Sequence, residues 1–193
     1  MKYLKLFEEI SSSQKSLLVG LCNQHNIKNY TVNENGFIDV NNNVNLINNG
    51  LTKLLLRFNK VNGWFDCSYN KLTSLEGSPV EVNGQFWCSN NKLTSFKFTP
   101  KIIRGNFNCV YNNIKTFEYF PSYIKDAFYC YGNPIEEVWW LFQDTTKIEL
   151  LNDFDIFRDE DTDTPSIFIE RLNDFLEMIG KKSVKKVNQY KNI

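Results

Sequence analysis

Cys67, Cys88, Cys109 and Cys130 stand 21 residues apart, and one frame surrounds all four. It reads Val61-x-Gly63-x-Phe65-x-Cys67-x-x-Asn70-x-Leu72-x-x-Leu75 and returns at Val82, Gly84, Phe86, Cys88, Asn91, Leu93 and Phe96. Ile103, Gly105, Phe107, Cys109, Asn112, Ile114 and Phe117 make the next copy. The last is Ile124, Asp126, Phe128, Cys130, Asn133, Ile135 and Val138, and Pro79, Pro100 and Pro121 keep the same step. One step earlier, Val40, Val44, Leu46, Asn49, Leu51 and Leu54 fall on the frame, with Phe58 at the proline position. That copy is degenerate, as a terminal repeat that meets a cap tends to be. A period this short predicts an α/β solenoid of about five coils, each burying its inner face against its neighbours. Residues 40–138 form the solenoid in this reading. Residues 1–39 form an N-terminal helical and hairpin cap, and residues 139–193 a C-terminal cap with an amphipathic helix and a basic tail.

The stretch Phe86-x-Cys88-x-x-Asn91-x-Leu93 resembles the L-x-L-x-x-N-x-L core of the leucine-rich repeat family. Asn90-Asn91-Lys92-Leu93-Thr94-Ser95 is similar to the short repeats of phage and bacterial members. The frame departs from the family upstream, where Val82 lies four residues before Phe86 and the motif has three. The resemblance implies a parallel β-ladder on a concave face. It also implies a phage-encoded, non-catalytic protein that binds and inhibits or sequesters a host protein, such as a defence component, in the host cytoplasm. The alternative is a virion structural or assembly protein, or a glycan-binding adhesin. Repeats of this kind host many unrelated functions, so the resemblance speaks to fold more than to activity.

Lys and Arg together number 22, as do Asp and Glu, for a formal net charge of zero. The cations are dispersed, which argues against the basic footprint that nucleic-acid binding needs. No apolar run approaches the length of a membrane span. The start, Met1-Lys2-Tyr3-Leu4-Lys5-Leu6-Phe7-Glu8-Glu9, lacks the long apolar core of a signal peptide. A cytoplasmic chain is expected.

Residues 1 to about 28 read as helix, with Tyr3, Leu4, Phe7 and Ile10 on one face. Leu17, Leu18, Leu21 and Cys22 continue it after a break at Ser11-Ser12-Ser13. Tyr30–Val32 and Phe37–Val40 flank Asn33-Glu34-Asn35-Gly36, a hairpin signal leading into the first coil. Beyond Val138, the side chains of Trp139, Trp140, Leu141 and Phe142 supply bulk to close the end of the core. Thr164-Pro165 predicts the start of a helix carrying Ile167, Phe168, Leu172, Phe175, Leu176 and Ile179 and stopped by Gly180. The basic tail keeps Val184, Val187 and Tyr190, so part of it is expected to pack.

The cysteine column does not suit a metal. Coils stack about 4.8 Å apart, which separates the outer thiols by roughly 14 Å, whereas zinc holds each sulfur at about 2.3 Å. Reduced core thiols are expected. The column Asn49, Asn70, Asn91, Asn112 and Asn133 is expected to satisfy backbone groups where the chain leaves each strand. The single histidine, His25, could meet Cys22 along a helix, but a surface histidine of the cap is expected. Asp159, Asp161, Asp163 and Glu170 match four positions of a calcium loop. Thr164 replaces the glycine of its sharp turn, which favours a solvated acidic loop. No catalytic residue, cofactor or metal is expected.

With Phe and Cys pointing inward, the residues beside them point to the opposite face. These are Trp64, Asp66 and Ser68, then Gln85, Trp87 and Ser89, then Asn106, Asn108 and Val110, then Ala127, Tyr129 and Tyr131. Tyr69 and Tyr111 stand at the strand exits. A strip rich in Trp, Tyr, Asn and Gln fits a protein-binding surface, where aromatic rings supply rigid contact area. Trp64, Asp66, Tyr69, Gln85, Trp87, Asn106, Asn108, Val110, Tyr111, Tyr129 and Tyr131 are therefore the candidate partner-binding residues. Burial of the strip beneath the C-terminal cap is the competing expectation.

Overall fold

A computed structural model of the chain describes residues 10–158 and 165–193. Helix α1 (Ser12–Gln24) follows Ser11, whose hydroxyl accepts from the Gln14 N–H at 3.3 Å while the Gln14 side chain accepts from the Ser11 N–H at 2.8 Å. This reciprocal cap makes the serine cluster the start of α1. Cys22 is buried, Leu18 and Leu21 half-buried, and Leu17 faces solvent. Residues 1–9 of the expected helix lie outside the described residues. The hairpin forms as expected from β1 (Tyr30–Val32) and β2 (Phe37–Val40), with Tyr30 opposite Val40. Asn33 Oδ1 accepts from the N–H groups of Asn35 and Phe37, and Gly36 takes the left-handed turn position at φ 77°.

Strands β3 (Val44–Asn45) and β4 (Arg57–Val61) follow, then β5 (Phe65–Asp66), β6 (Glu81–Val82), β7 (Phe86–Trp87), β8 (Ile102–Ile103), β9 (Phe107–Asn108), β10 (Tyr123–Ile124) and β11 (Phe128–Tyr129). Each repeat thus supplies two short strands, where one was expected. The first ladder runs β1-β2-β4-β6-β8-β10 and the second β3-β5-β7-β9-β11. From β2 onward every pairing in both ladders is parallel. Phe65 pairs with Phe86, Phe86 with Phe107 and Phe107 with Phe128, while Val61 pairs with Val82 and Val82 with Ile103. The 21-residue period of the sequence is therefore the hydrogen-bond register of an α/β fold.

The turn between the two strands of a repeat holds the copies close. A Cβ on Gly84 would lie 2.9 Å from the carbonyl carbon of Gly63, and one on Gly105 would lie 2.7 Å from that of Gly84. Only glycine lets backbone approach backbone this closely. In the last copy the position is Asp126, and its N–H lies 3.4 Å from the Gly105 carbonyl, against 3.0 Å for Gly84 on Gly63.

Phe65, Phe86, Phe107 and Phe128 form a column with ring centroids 5.6, 5.7 and 5.3 Å apart. Beside it Cys67, Cys88, Cys109 and Cys130 are buried free thiols. Burial pushes the thiols of Cys67, Cys88 and Cys109 well above their ordinary range and that of Cys130 to about 12. The asparagine column behaves as expected from Asn70 onward. Asn91, for example, accepts from the Leu72 N–H at 2.9 Å and donates to the carbonyls of Cys67 and Cys88 at 3.0 and 3.1 Å. Asn49 is exposed, and its backbone N–H is instead held by Asn70 Oδ1 at 3.0 Å.

The C-terminal part comprises α2 (Glu136–Phe142), α3 (Ile148–Asp153), β12 (Phe157–Arg158), β13 (Ser166–Ile167), α4 (Ile169–Met178) and β14 (Lys191–Asn192). Trp139 packs edge-on against Phe128 at 5.0 Å and Phe142 against Phe117 at 5.9 Å, covering the end of the phenylalanine column. Trp140 points away and is exposed. The helix expected from Pro165 starts only at Ile169, because Ser166 and Ile167 pair with β12 on one side and β14 on the other. Gly180, at φ 73°, follows its end as expected. The tail packs: Val187 and Tyr190 are buried, and the Tyr190 hydroxyl donates to the Lys115 carbonyl at 2.7 Å. No helix among the described residues is long and apolar enough to cross a membrane.

Candidate functional site

The second ladder places the predicted strip in rows set by its register. Asp66 stands beside Trp87, Trp87 beside Asn108, and Asn108 beside Tyr129. The row of Trp64, Gln85, Asn106 and Ala127 precedes it on the same face. Trp64 and Trp87 meet with centroids 5.8 Å apart, both half-buried. Tyr111 and Tyr131 meet edge-to-face at 5.2 Å.

The polar members of the strip are occupied by the backbone. Asp66 Oδ1 accepts from the Ser68 N–H at 2.8 Å, and Asn108 Oδ1 accepts from the Val110 N–H at 3.1 Å. Asn106 Oδ1 accepts from the Ala127 N–H at 3.0 Å, holding the next repeat in place. Asp66 and Asn108 make the side-chain turns by which such residues end strands. They shape the strip more than they offer hydrogen bonds to a ligand.

Val110 departs from the expectation. It is 4% exposed, and the same column at Ser68 and Ser89 is also buried, with the Ser89 hydroxyl donating to that of Ser68 at 3.0 Å. The strands are two residues long, so alternation ends before this column, and the chain turns it inward in the three middle repeats, while Ile47 and Tyr131 at its ends are exposed.

That inward turn is made by the next residue. Tyr69, Asn90 and Tyr111 adopt φ of 57°, 54° and 53°, and Asn48 and Gly132 occupy the same column at 52° and 71°. Asparagine and glycine accept this left-handed conformation readily; tyrosine does so at a cost of about 1 kcal/mol. Yet Tyr69 is 57% and Tyr111 55% exposed, so neither ring recovers that cost by full burial. Tyr129 and Tyr131 are exposed as well. Gly132 is required beside them, because a Cβ there would lie 2.5 Å from the Tyr111 ring.

No family model matches this chain, and neither a curated protein nor a solved structure does. The chemistry must be read from its own residues. Among the described residues no group of three His, Cys, Asp or Glu side chains could hold a metal ion. His25 caps the end of α1, and the Cys22 thiol lies against the Tyr30 hydroxyl, with burial raising its pKa. Of the residues that match calcium-loop positions, Asp159, Asp161 and Asp163 lie outside the described residues, and Glu170 is exposed on α4.

Two aromatic residues outside the predicted strip share its unusual backbone. Phe98 and Tyr119 sit two residues before Pro100 and Pro121, at φ 67° and 61°, and both are exposed. Gly77 holds the same place before Pro79. The signal was present in the sequence as the column Gly77, Phe98 and Tyr119 before the three prolines.

Proposed function

We propose that this chain is a leucine-rich repeat solenoid acting as a non-catalytic protein-binding module, and that its docking surface is the aromatic strip of the second ladder. The observation that carries this reading is the pair Tyr69 and Tyr111, exposed rings on backbone positions that other repeats fill with asparagine or glycine. Exposed aromatic side chains held at a conformational cost answer a need other than folding. Trp64, Trp87, Tyr129 and Tyr131 extend the same patch, and Gln85 adds an amide to it. A strip built on a ladder is pre-organised, so binding orders little backbone. On the resemblance to short phage repeats, the partner is a host protein that the chain inhibits or sequesters.

The test is affinity capture from host lysate, comparing the unaltered protein with a Trp64→Ala/Trp87→Ala/Tyr129→Ala variant that retains its thermal unfolding midpoint. A protein held by the first and lost by the second supports the reading. Equal recovery by both would place the binding surface elsewhere on the chain.

A further inference from the structure

The first ladder carries an apolar groove of about 780 Å³ on a part of the fold distinct from the tyrosine strip. Phe58, Pro79 and Phe120 line its floor, and Val80, Phe98 and Tyr119 stand exposed along it. The groove follows the stacking direction, because its residues recur at the 21-residue step: Arg57, Ser78, Thr99 and Phe120 are one column. Three steps of about 4.8 Å give it a length of roughly 14 Å, the span of four or five extended residues.

The rim has a sign. Arg57, Lys97 and Lys101 line the groove, with Glu76 as its one lining carboxylate. Lys97 lies over the Phe98 ring at 5.3 Å. Among the described residues neither the Arg57 nor the Lys101 side chain has an ion-pair partner. These two cations belong to copies two steps apart, about 10 Å along the groove. Glu81 bridges cations so placed, since it meets both Lys60 and Arg104; two carboxylates three residues apart on an extended chain, at about 3.3 Å per residue, match Arg57 and Lys101 one to one.

We infer that this groove binds an extended acidic, amphipathic peptide segment of a partner protein, its apolar side chains against Val80, Phe98 and Tyr119 and its carboxylates on Arg57 and Lys101. Phe98 and Tyr119 make the groove apolar from left-handed backbone positions, where Gly77 is the residue that fits without strain. The groove therefore keeps aromatic surface that the backbone disfavours.

The test is fluorescence anisotropy with fluorescein-labelled peptides of about eight residues, in which leucine and phenylalanine surround glutamates placed three residues apart. Matched peptides carry glutamine or lysine at the glutamate positions. Saturable binding of the glutamate peptides is expected, weakened at least tenfold by Phe98→Gly/Tyr119→Gly and about fivefold by Arg57→Gln/Lys101→Gln. Trp87→Ala, on the other ladder, should leave it unchanged. The glycine variant should unfold at the same or a higher urea concentration, which separates lost binding from lost fold. Equal binding of the glutamine peptides, equal binding by the groove variants, binding of palmitate without any peptide, or no peptide binding at all would each overturn the proposal.

Discussion

The side-chain amide of Asn112 donates to the carbonyl of Cys88, 24 residues earlier, at 3.0 Å. The same amide reaches the carbonyl of its own Cys109 at 2.9 Å, and its oxygen accepts from the Leu93 N–H at 3.0 Å. One side chain therefore satisfies backbone groups of two successive repeats where the chain leaves the ladder. Asn133 repeats the arrangement on Cys109, Cys130 and Ile114, so the column works as a series of identical clamps.

Asn112→Ala removes three such bonds at once and leaves backbone groups unsatisfied. A loss of about 2–3 kcal/mol is expected in urea unfolding. Asn49→Ala, in the same column but with an exposed side chain, should change stability by less than about 0.5 kcal/mol. Equal losses at both sites would show that the column contributes through side-chain volume rather than through hydrogen bonds.

The cysteine column predicts a pH dependence. Burial holds the thiols of Cys67, Cys88 and Cys109 protonated in the folded chain, whereas each ionises near pH 8.5 once unfolded. Above that pH the unfolded state binds fewer protons, so stability falls as pH rises. Each thiol contributes about 1.4 kcal/mol per pH unit once the pH is well above its unfolded value. Urea midpoints between pH 8 and 10.5 should therefore drop less steeply in Cys88→Ala than in the parent, although the variant starts lower because it leaves a cavity. Parallel slopes would mean that the buried thiols are not what titrates.

The glycine column separates close approach from turn preference. Gly84→Ala places a methyl against the Gly63 backbone and should cost about 2 kcal/mol or more. Asp126→Gly, at the end of the same column, gives the position the residue of the earlier copies and should leave the unfolding midpoint unchanged or raised. A harmless Gly84→Ala would show that the repeats are free to separate.

These columns were legible in the sequence because every copy repeats the same demand. The inward Phe and Cys, the asparagine clamps from Asn70 onward and the hairpin before Val40 follow from period and residue type alone. The second strand of each repeat was not legible. Pairs such as Glu81–Val82 are too short to alternate, and only the neighbouring copies make them strands. Ser166 and Ile167 were drawn out of the expected helix by the same cause, since β12 and β14 offered pairing on both sides. Within the strip, alternation located Trp64, Trp87 and Tyr129 but misplaced Val110. It also gave no sign that Asp66 and Asn108 were already committed to the chain's own N–H groups.

Tyr69 offers the sharpest separation of function from stability. Its ring is 57% exposed and its backbone is left-handed, and Asn48 and Asn90 occupy the equivalent place one repeat to either side. Tyr69→Asn should relieve about 1 kcal/mol of backbone strain, offset in part by the lost packing of a half-covered ring. The expected melting temperature is unchanged or raised by roughly 2–4 °C. If the strip is the docking surface, the same substitution should release a captured partner, because a central aromatic side chain typically carries about 2 kcal/mol or more of binding energy. A melting temperature several degrees lower would instead mean that the ring holds the fold together, and its exposure would no longer argue for a partner.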